Sequence, residues 1–153
     1  MNKAFIKDDD GAGDALPDRE IPSQPNLVTA EGLVRIEQML AQASTALSEA
    51  QAVEDRAAVA RAARDVRYWA HRRASAQLVP PPADHTQVRF GARVTIARDD
   101  EREQTFRIVG MDEADPAAGT LSYVSPMAQA LMGRAVGDAV RVAGGEVDIV
   151  AIA

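Results

Sequence analysis

Few residues of this chain have the types and spacing that chemistry needs. Glu49, Glu54 and Asp55 stand close together in a polar break between two apolar-periodic stretches. Carboxylates grouped at a turn could hold a hard divalent cation, or share Mg²⁺ with a partner that supplies further oxygen ligands; they are equally what a solvated turn looks like. The two histidines, His71 and His85, fall in different segments. A metal site of the protein's own needs several converging ligands, so none is assigned. Cysteine is absent, which removes thiolate nucleophiles, disulfides and Cys-based metal centres and fits a reducing, cytoplasmic compartment. There is no Gly-x-Ser-x-Gly elbow and no phosphate loop ending in Gly-Lys-Ser/Thr. No catalytic residue and no resident cofactor are expected, and the chain does not read as an enzyme.

Charge narrows the partners. The net charge is −6, so the field of the whole molecule repels phosphate backbones and autonomous nucleic-acid binding is not expected. Residues 1–26 carry 3 basic and 6 acidic groups, residues 27–79 carry 7 and 6, and residues 80–153 carry 7 and 11. All the positive charge of the middle segment is arginine, and six of its seven arginines lie between Arg56 and Arg73, where guanidinium groups suit carboxylate pairing at a protein surface. The opening residues lack the long apolar stretch of a signal peptide, and no apolar run approaches the ~18 residues of a membrane span.

The elements that would position the acidic turn follow from periodicity. Residues 1–26 mix Asp8–Asp10, two glycines and three prolines without helix or strand period, and are read as a disordered acidic tail. Leu33, Ile36, Leu40, Ala43 and Leu47 are spaced 3, 4, 3, 4, the seam of a helix that packs on another helix, with Thr29 as N-cap and Glu31 in the first turn. Val59, Ala62, Val66, Trp69, Arg73 and Ala76 continue that spacing beyond the polar break. Residues 27–79 are therefore expected to form an antiparallel coiled-coil hairpin, each arm about 20 residues and roughly 30 Å long. Pro80–Pro82 end the second helix and open a linker over 80–85.

Beyond the linker the period shortens to that of strands. Arg93–Ile96, Phe106–Val109, Val140–Val142 and Val147–Val150 are β-branched or alternating, with a turn at Gly144–Gly145. Ser125 as N-cap, Pro126 at the first helical position and Gly133 as stop mark one short helix. The fold class is α+β: a helical hairpin, then over 86–153 an antiparallel sheet with one short helix.

Six segments in order carry a family resemblance. They are Leu27-Val28-Thr29-Ala30-Glu31-Gly32, Arg64-Asp65-Val66-Arg67-Tyr68, Phe90-Gly91-Ala92-Arg93-Val94, the run Phe106 to Glu113, the run Ser125 to Gly133, and Val136-Gly137-Asp138. Together they resemble the bacterial transcription elongation factors GreA and GreB, the GreB side more closely. The resemblance implies an FKBP-like sheet domain that docks on the rim of the RNA polymerase secondary channel, a hairpin that passes down that channel, and a monomeric factor with no membrane association. It assigns polymerase binding to Tyr123, Val124, Ser125, Pro126 and Met127, although many relatives carry an acidic residue where Val124 stands.

In members that stimulate transcript cleavage, a tip motif Gly-Asp-x-x-Glu-Asn-Ala helps the polymerase hold a second Mg²⁺. That motif is absent here and the hairpin is shorter. A carboxylate one or two helical turns short, at ~5.4 Å per turn, misses the ~2.0–2.1 Å that Mg²⁺ coordination demands. The reading is therefore a channel binder that regulates elongation or competes with cleavage factors, with Glu54 and Asp55 as weak substitutes and any Mg²⁺ shared with the polymerase. Two other readings are a regulator of nucleoside diphosphate kinase, which shares the sheet domain, and a prolyl isomerase. The latter needs an aromatic-walled pocket, and residues 86–153 hold only Phe90, Phe106 and Tyr123.

Overall fold

A computed structural model describes residues 15–153. The chain divides into two units, one made of residues up to Ser23 with Arg35–Ser75, the other of Gln24–Val34 with Ala76–Ala153.

In the helical unit, the heptad seam produces helix α1 (Ala30–Ala52), whose first turn falls with the sheet unit, and helix α2 (Arg56–Ser75). Ile36, Ala43 and Ala50 recur every seven residues and are buried, as are Ala62 and Trp69 of α2. Arg73 Nε lies 2.9 Å from Glu37 Oε1, linking the two helices. The position read as seam at Arg73 is corrected: Arg72 is the enclosed arginine, at 1% exposure, while the Arg73 side chain is half exposed. A straight helix at 3.6 residues per turn drifts ~20° per heptad from a 3.5-residue repeat, so a seam counted in steps of three and four slips by one position toward its end.

Of the segment read as a tail, residues 1–14 lie outside the described residues. The part beyond them carries contacts: Asp18 and Arg19 both reach α2. Helix α2 also stops at Ser75, before the prolines, because the next residues are drawn into a strand pair. Strands β1 (Leu27–Val28) and β2 (Gln77–Leu78) pair in parallel, with Gln77 N–H donating to the Asn26 carbonyl at 2.8 Å and Val79 N–H to that of Val28 at 2.9 Å.

The larger sheet of this unit has five strands: β3 (Arg93–Ala97), β4 (Glu103–Val109), β5 (Thr120–Ser122), β6 (Ala139–Val142) and β7 (Gly145–Ile152), in the order β5-β4-β3-β7-β6. Helix α3 (Pro126–Leu131) is the one short helix expected. The α+β class stands, with one difference: the sheet is mixed, since β5 pairs parallel to β4. Strand β5 has three residues, too few to show a period of two, and the chain returns to it through the 3₁₀ turn Pro116–Ala118 so that it runs the same way as β4. The final hairpin pairs Val142 with Gly145, so its two turn residues are Ala143 and Gly144, one position earlier than read; Gly144 has φ +92°. The core is aliphatic at its centre: Val94, Ile96, Ile108, Ala128 and Leu131 are completely buried, with Phe90, Phe106 and Tyr123 packed around them.

Candidate functional site

The hairpin turn is built from capping chemistry. Asp55 N–H donates to the Ala50 carbonyl at 3.1 Å and Glu54 N–H to that of Gln51 at 3.2 Å, the paired bonds of a Schellman motif. That motif needs a left-handed residue, and Glu54 supplies it with φ +54° where glycine is the usual choice. Asp55 then caps α2: its Oδ1 accepts from Ala58 N–H at 3.1 Å. The Asp55 carboxylate is thus engaged by its own helix, while Glu49 and Glu54 are exposed. Among the described residues no group of three or more His, Asp or Glu side chains is arranged to hold a metal ion. Replacing Glu54 by glycine is expected to stabilise the chain by about 1 kcal/mol, less what glycine loses in the unfolded state. The midpoint of a urea titration measures it, and a lower midpoint would contradict the left-handed geometry.

The residues assigned to docking divide into supports and surface. Tyr123 is buried, its ring edge-on to Phe90 at 5.6 Å between centroids, and its hydroxyl donates to the Pro25 carbonyl. Gln129 Nε2 donates to the Tyr123 carbonyl at 2.7 Å, and Ser125 Oγ accepts from Ala128 N–H at 3.2 Å as the N-cap of α3. What faces outward is Pro126, exposed, flanked by the half-buried Val124 and Met127. Tyr123 and Ser125 therefore shape the loop, and Val124, Pro126 and Met127 form its accessible part. Phe90 and Phe106 are core residues like Tyr123.

A third cluster, unread in the sequence, sits where α1 begins. Thr29 Oγ1 accepts from Gly32 N–H at 3.0 Å, the expected cap, and donates to Glu113 Oε1 at 2.7 Å. Glu113 Oε2 also accepts from Thr29 N–H at 3.3 Å. A carboxylate from the loop after β4 is thereby set on the positive end of α1. A Cβ on Gly32 would stand 1.9 Å from Glu113 Oε2, and one on Gly110 would stand 2.4 Å from the Leu27 carbonyl oxygen. Gly110 is required by close approach to backbone, whereas a side chain at Gly32 would displace the Glu113 carboxylate. The partners are 84 positions apart, so no local spacing could have joined them. Nearby, Glu31 is held below the ordinary glutamate value, first by the hydrogen bond from its own amide and then by Arg107, whose Nη2 lies 3.5 Å from its carboxylate.

His71 is exposed on α2, and His85 is exposed with Nε2 3.1 Å from the Pro82 carbonyl oxygen. Among the described residues no helix is long and apolar enough to cross a membrane.

Residues 83–153 match the family model described as "Transcription elongation factor, GreA/GreB, C-term". The chain is 56% identical over 59 residues to a transcription elongation factor GreA of Hyphomonas neptunium, covering 38% of each chain. It is 43% identical over 79 residues to a transcription elongation factor GreB of Neisseria meningitidis, covering 50% of this chain and 48% of the relative. The matches thus span less than half the length of either relative. A solved structure of GreA factor homolog 1 (Gfh1) from Thermus thermophilus aligns with TM-score 0.41 at 19% identity, over 85% of this chain and 99% of the other. Residues 83–153 are thus similar to the C-terminal domain of the transcription elongation factors GreA and GreB.

Proposed function

We propose that the chain is an RNA polymerase-binding regulator of transcription elongation of the GreA/GreB type. It acts as an accessory factor with no catalytic centre of its own, in the cytoplasm and as a monomer. The observation that carries this reading is the family match over residues 83–153, which contains the accessible Val124, Pro126 and Met127 at the start of α3. In this reading those three residues dock on the polymerase, Tyr123 and Ser125 hold them in place, and the helical hairpin enters the secondary channel.

The turn favours regulation over stimulated transcript cleavage. A metal-delivering tip needs two carboxylates free to turn toward one ion, whereas the Asp55 carboxylate accepts from its own helix. Regulation then comes from occupying the channel, with or without competition against cleavage factors, and Mg²⁺ remains the polymerase's own.

Size-exclusion chromatography with purified core RNA polymerase at micromolar concentration tests the reading. Co-elution is expected, with affinity falling at least about tenfold for Pro126→Glu, a substitution at an exposed first helical turn that the fold tolerates. Absence of co-elution would sink the proposal. Strong cleavage of backtracked RNA, abolished by Glu54→Ala/Asp55→Ala, would replace the non-cleaving version with a cleaving one.

A further inference from the structure

Within the helical unit, residues 15–21 form an extended strap along α2. Ala15 shares a cavity of about 410 Å³ with Glu54, Val59 and Ala60 beside the turn. Further on, Arg67 Nε donates to Asp18 Oδ1 at 2.5 Å, and Arg19 Nη1 donates to Asp65 Oδ1 at 3.2 Å. The Arg19 guanidinium lies 3.8 Å from the centre of the Tyr68 ring and 5.5 Å from that of Trp69. Ile21 then shares a smaller cavity, about 100 Å³, with Tyr68 and His71. Contacts climb both segments together, so the strap runs parallel to α2. Its reach agrees: six steps of extended chain cover ~20 Å, and the twelve helical steps from Val59 to His71 cover ~18 Å.

The ties are of a kind that exchanges. Side chains of the Arg19–Asp65 pair are 37% and 41% exposed, and those of the Arg67–Asp18 pair 50% and 69%. Ion pairs this wet are weak and screened by salt, which leaves guanidinium stacking as the most specific contact. Yet Tyr68 and Trp69, beneath the strap, are among the most enclosed side chains of the unit, at 9% and 7% exposure. The strap's contact with these rings is the Arg19 guanidinium, and Trp69 lies in addition on the buried helix seam.

The geometry points to a displaceable strap: residues 15–21 act as an intramolecular ligand for the Asp65–His71 face of α2, and that face accepts an extended peptide segment of a partner with the same chemistry. Such a segment carries a carboxylate for Arg67, an adjacent arginine for Tyr68, Trp69 and Asp65, and an aliphatic residue two positions later for the groove beside His71. The strap keeps the face closed until a competing segment takes its place. This holds whether or not the chain binds a polymerase.

Trp69 is the chain's only tryptophan, so quenching of its fluorescence by acrylamide reads the strap directly in the full chain. The wild type at low salt is expected to be protected, with the quenching constant rising about threefold in Arg19→Ala and partway in about 0.5 M NaCl. A synthetic peptide of residues 15–23, added to the Arg19→Ala chain, should restore protection saturably, whereas the same peptide carrying Arg19→Ala should not. Equal quenching in wild type and Arg19→Ala overturns the proposal, as does failure of the wild-type peptide to restore protection. Loss of helical circular dichroism together with protection in Arg19→Ala also overturns it, because the segment would then be a fixed strut.

Discussion

Gly32→Ala is expected to destabilise the wild-type chain by about 1–3 kcal/mol, and to become neutral or even stabilising by up to ~1 kcal/mol once Glu113 is alanine. The sign change follows from one contact. In the wild type the new Cβ would stand 1.9 Å from Glu113 Oε2, so the carboxylate must leave. Its departure strips acceptors from the Thr29 hydroxyl and amide, on a residue only 2% exposed. With Glu113 already absent there is no clash, and only the better helix propensity of alanine over glycine is felt. Urea denaturation of the four proteins of this cycle gives the coupling directly. An equal cost of Gly32→Ala in both backgrounds would mean that Glu113 does not sit on the start of α1.

The second large effect belongs to Gly110. A Cβ there would stand 2.4 Å from the carbonyl oxygen of Leu27, a backbone atom that no rotamer change can move. Leu27 is itself held, paired with Gln77 across β1 and β2 and donating its N–H to the Pro25 carbonyl at 3.0 Å. Relief therefore requires displacing β1 or the end of β4. Gly110→Ala is expected to cost about 3 kcal/mol and on the order of 10 °C in Tm, measured by thermal unfolding in the far ultraviolet. An unchanged Tm would show that the two backbones stand further apart.

What could be read from the sequence was what repeats or punctuates locally. The 3, 4, 3, 4 spacing of Leu33, Ile36, Leu40, Ala43 and Leu47 announces α1, and Ser125-Pro126 announces α3, because helix periodicity and capping are set by neighbours a few positions away. The polar break was legible as a turn, but not the division of labour inside it. Asp55 as cap and Glu54 as left-handed link are decided by which residue ends α1, and helix ends shift by a residue or two without altering the pattern. Strands β1, β2 and β5 escaped because two or three residues carry no period. The strap escaped for a different reason: Asp18 and Arg19 are polar residues among prolines, and their role depends on aromatic rings some 50 positions later. In the loop before α3 the chemistry of Tyr123 and Ser125 was visible. Their enclosure was not, since it depends on Pro25, Phe90 and Gln129 arriving from elsewhere.

The parallel pairing of Leu27–Val28 with Gln77–Leu78 joins the two separate segments of the sheet unit. Everything from Arg35 to Ser75 is in that sense a cassette inserted into one socket, and the socket registers nothing of the cassette's length. Whole heptads could be gained or lost from both helices across evolutionary time without a residue of the socket needing to change. Reach is then the freely tuned variable of this architecture.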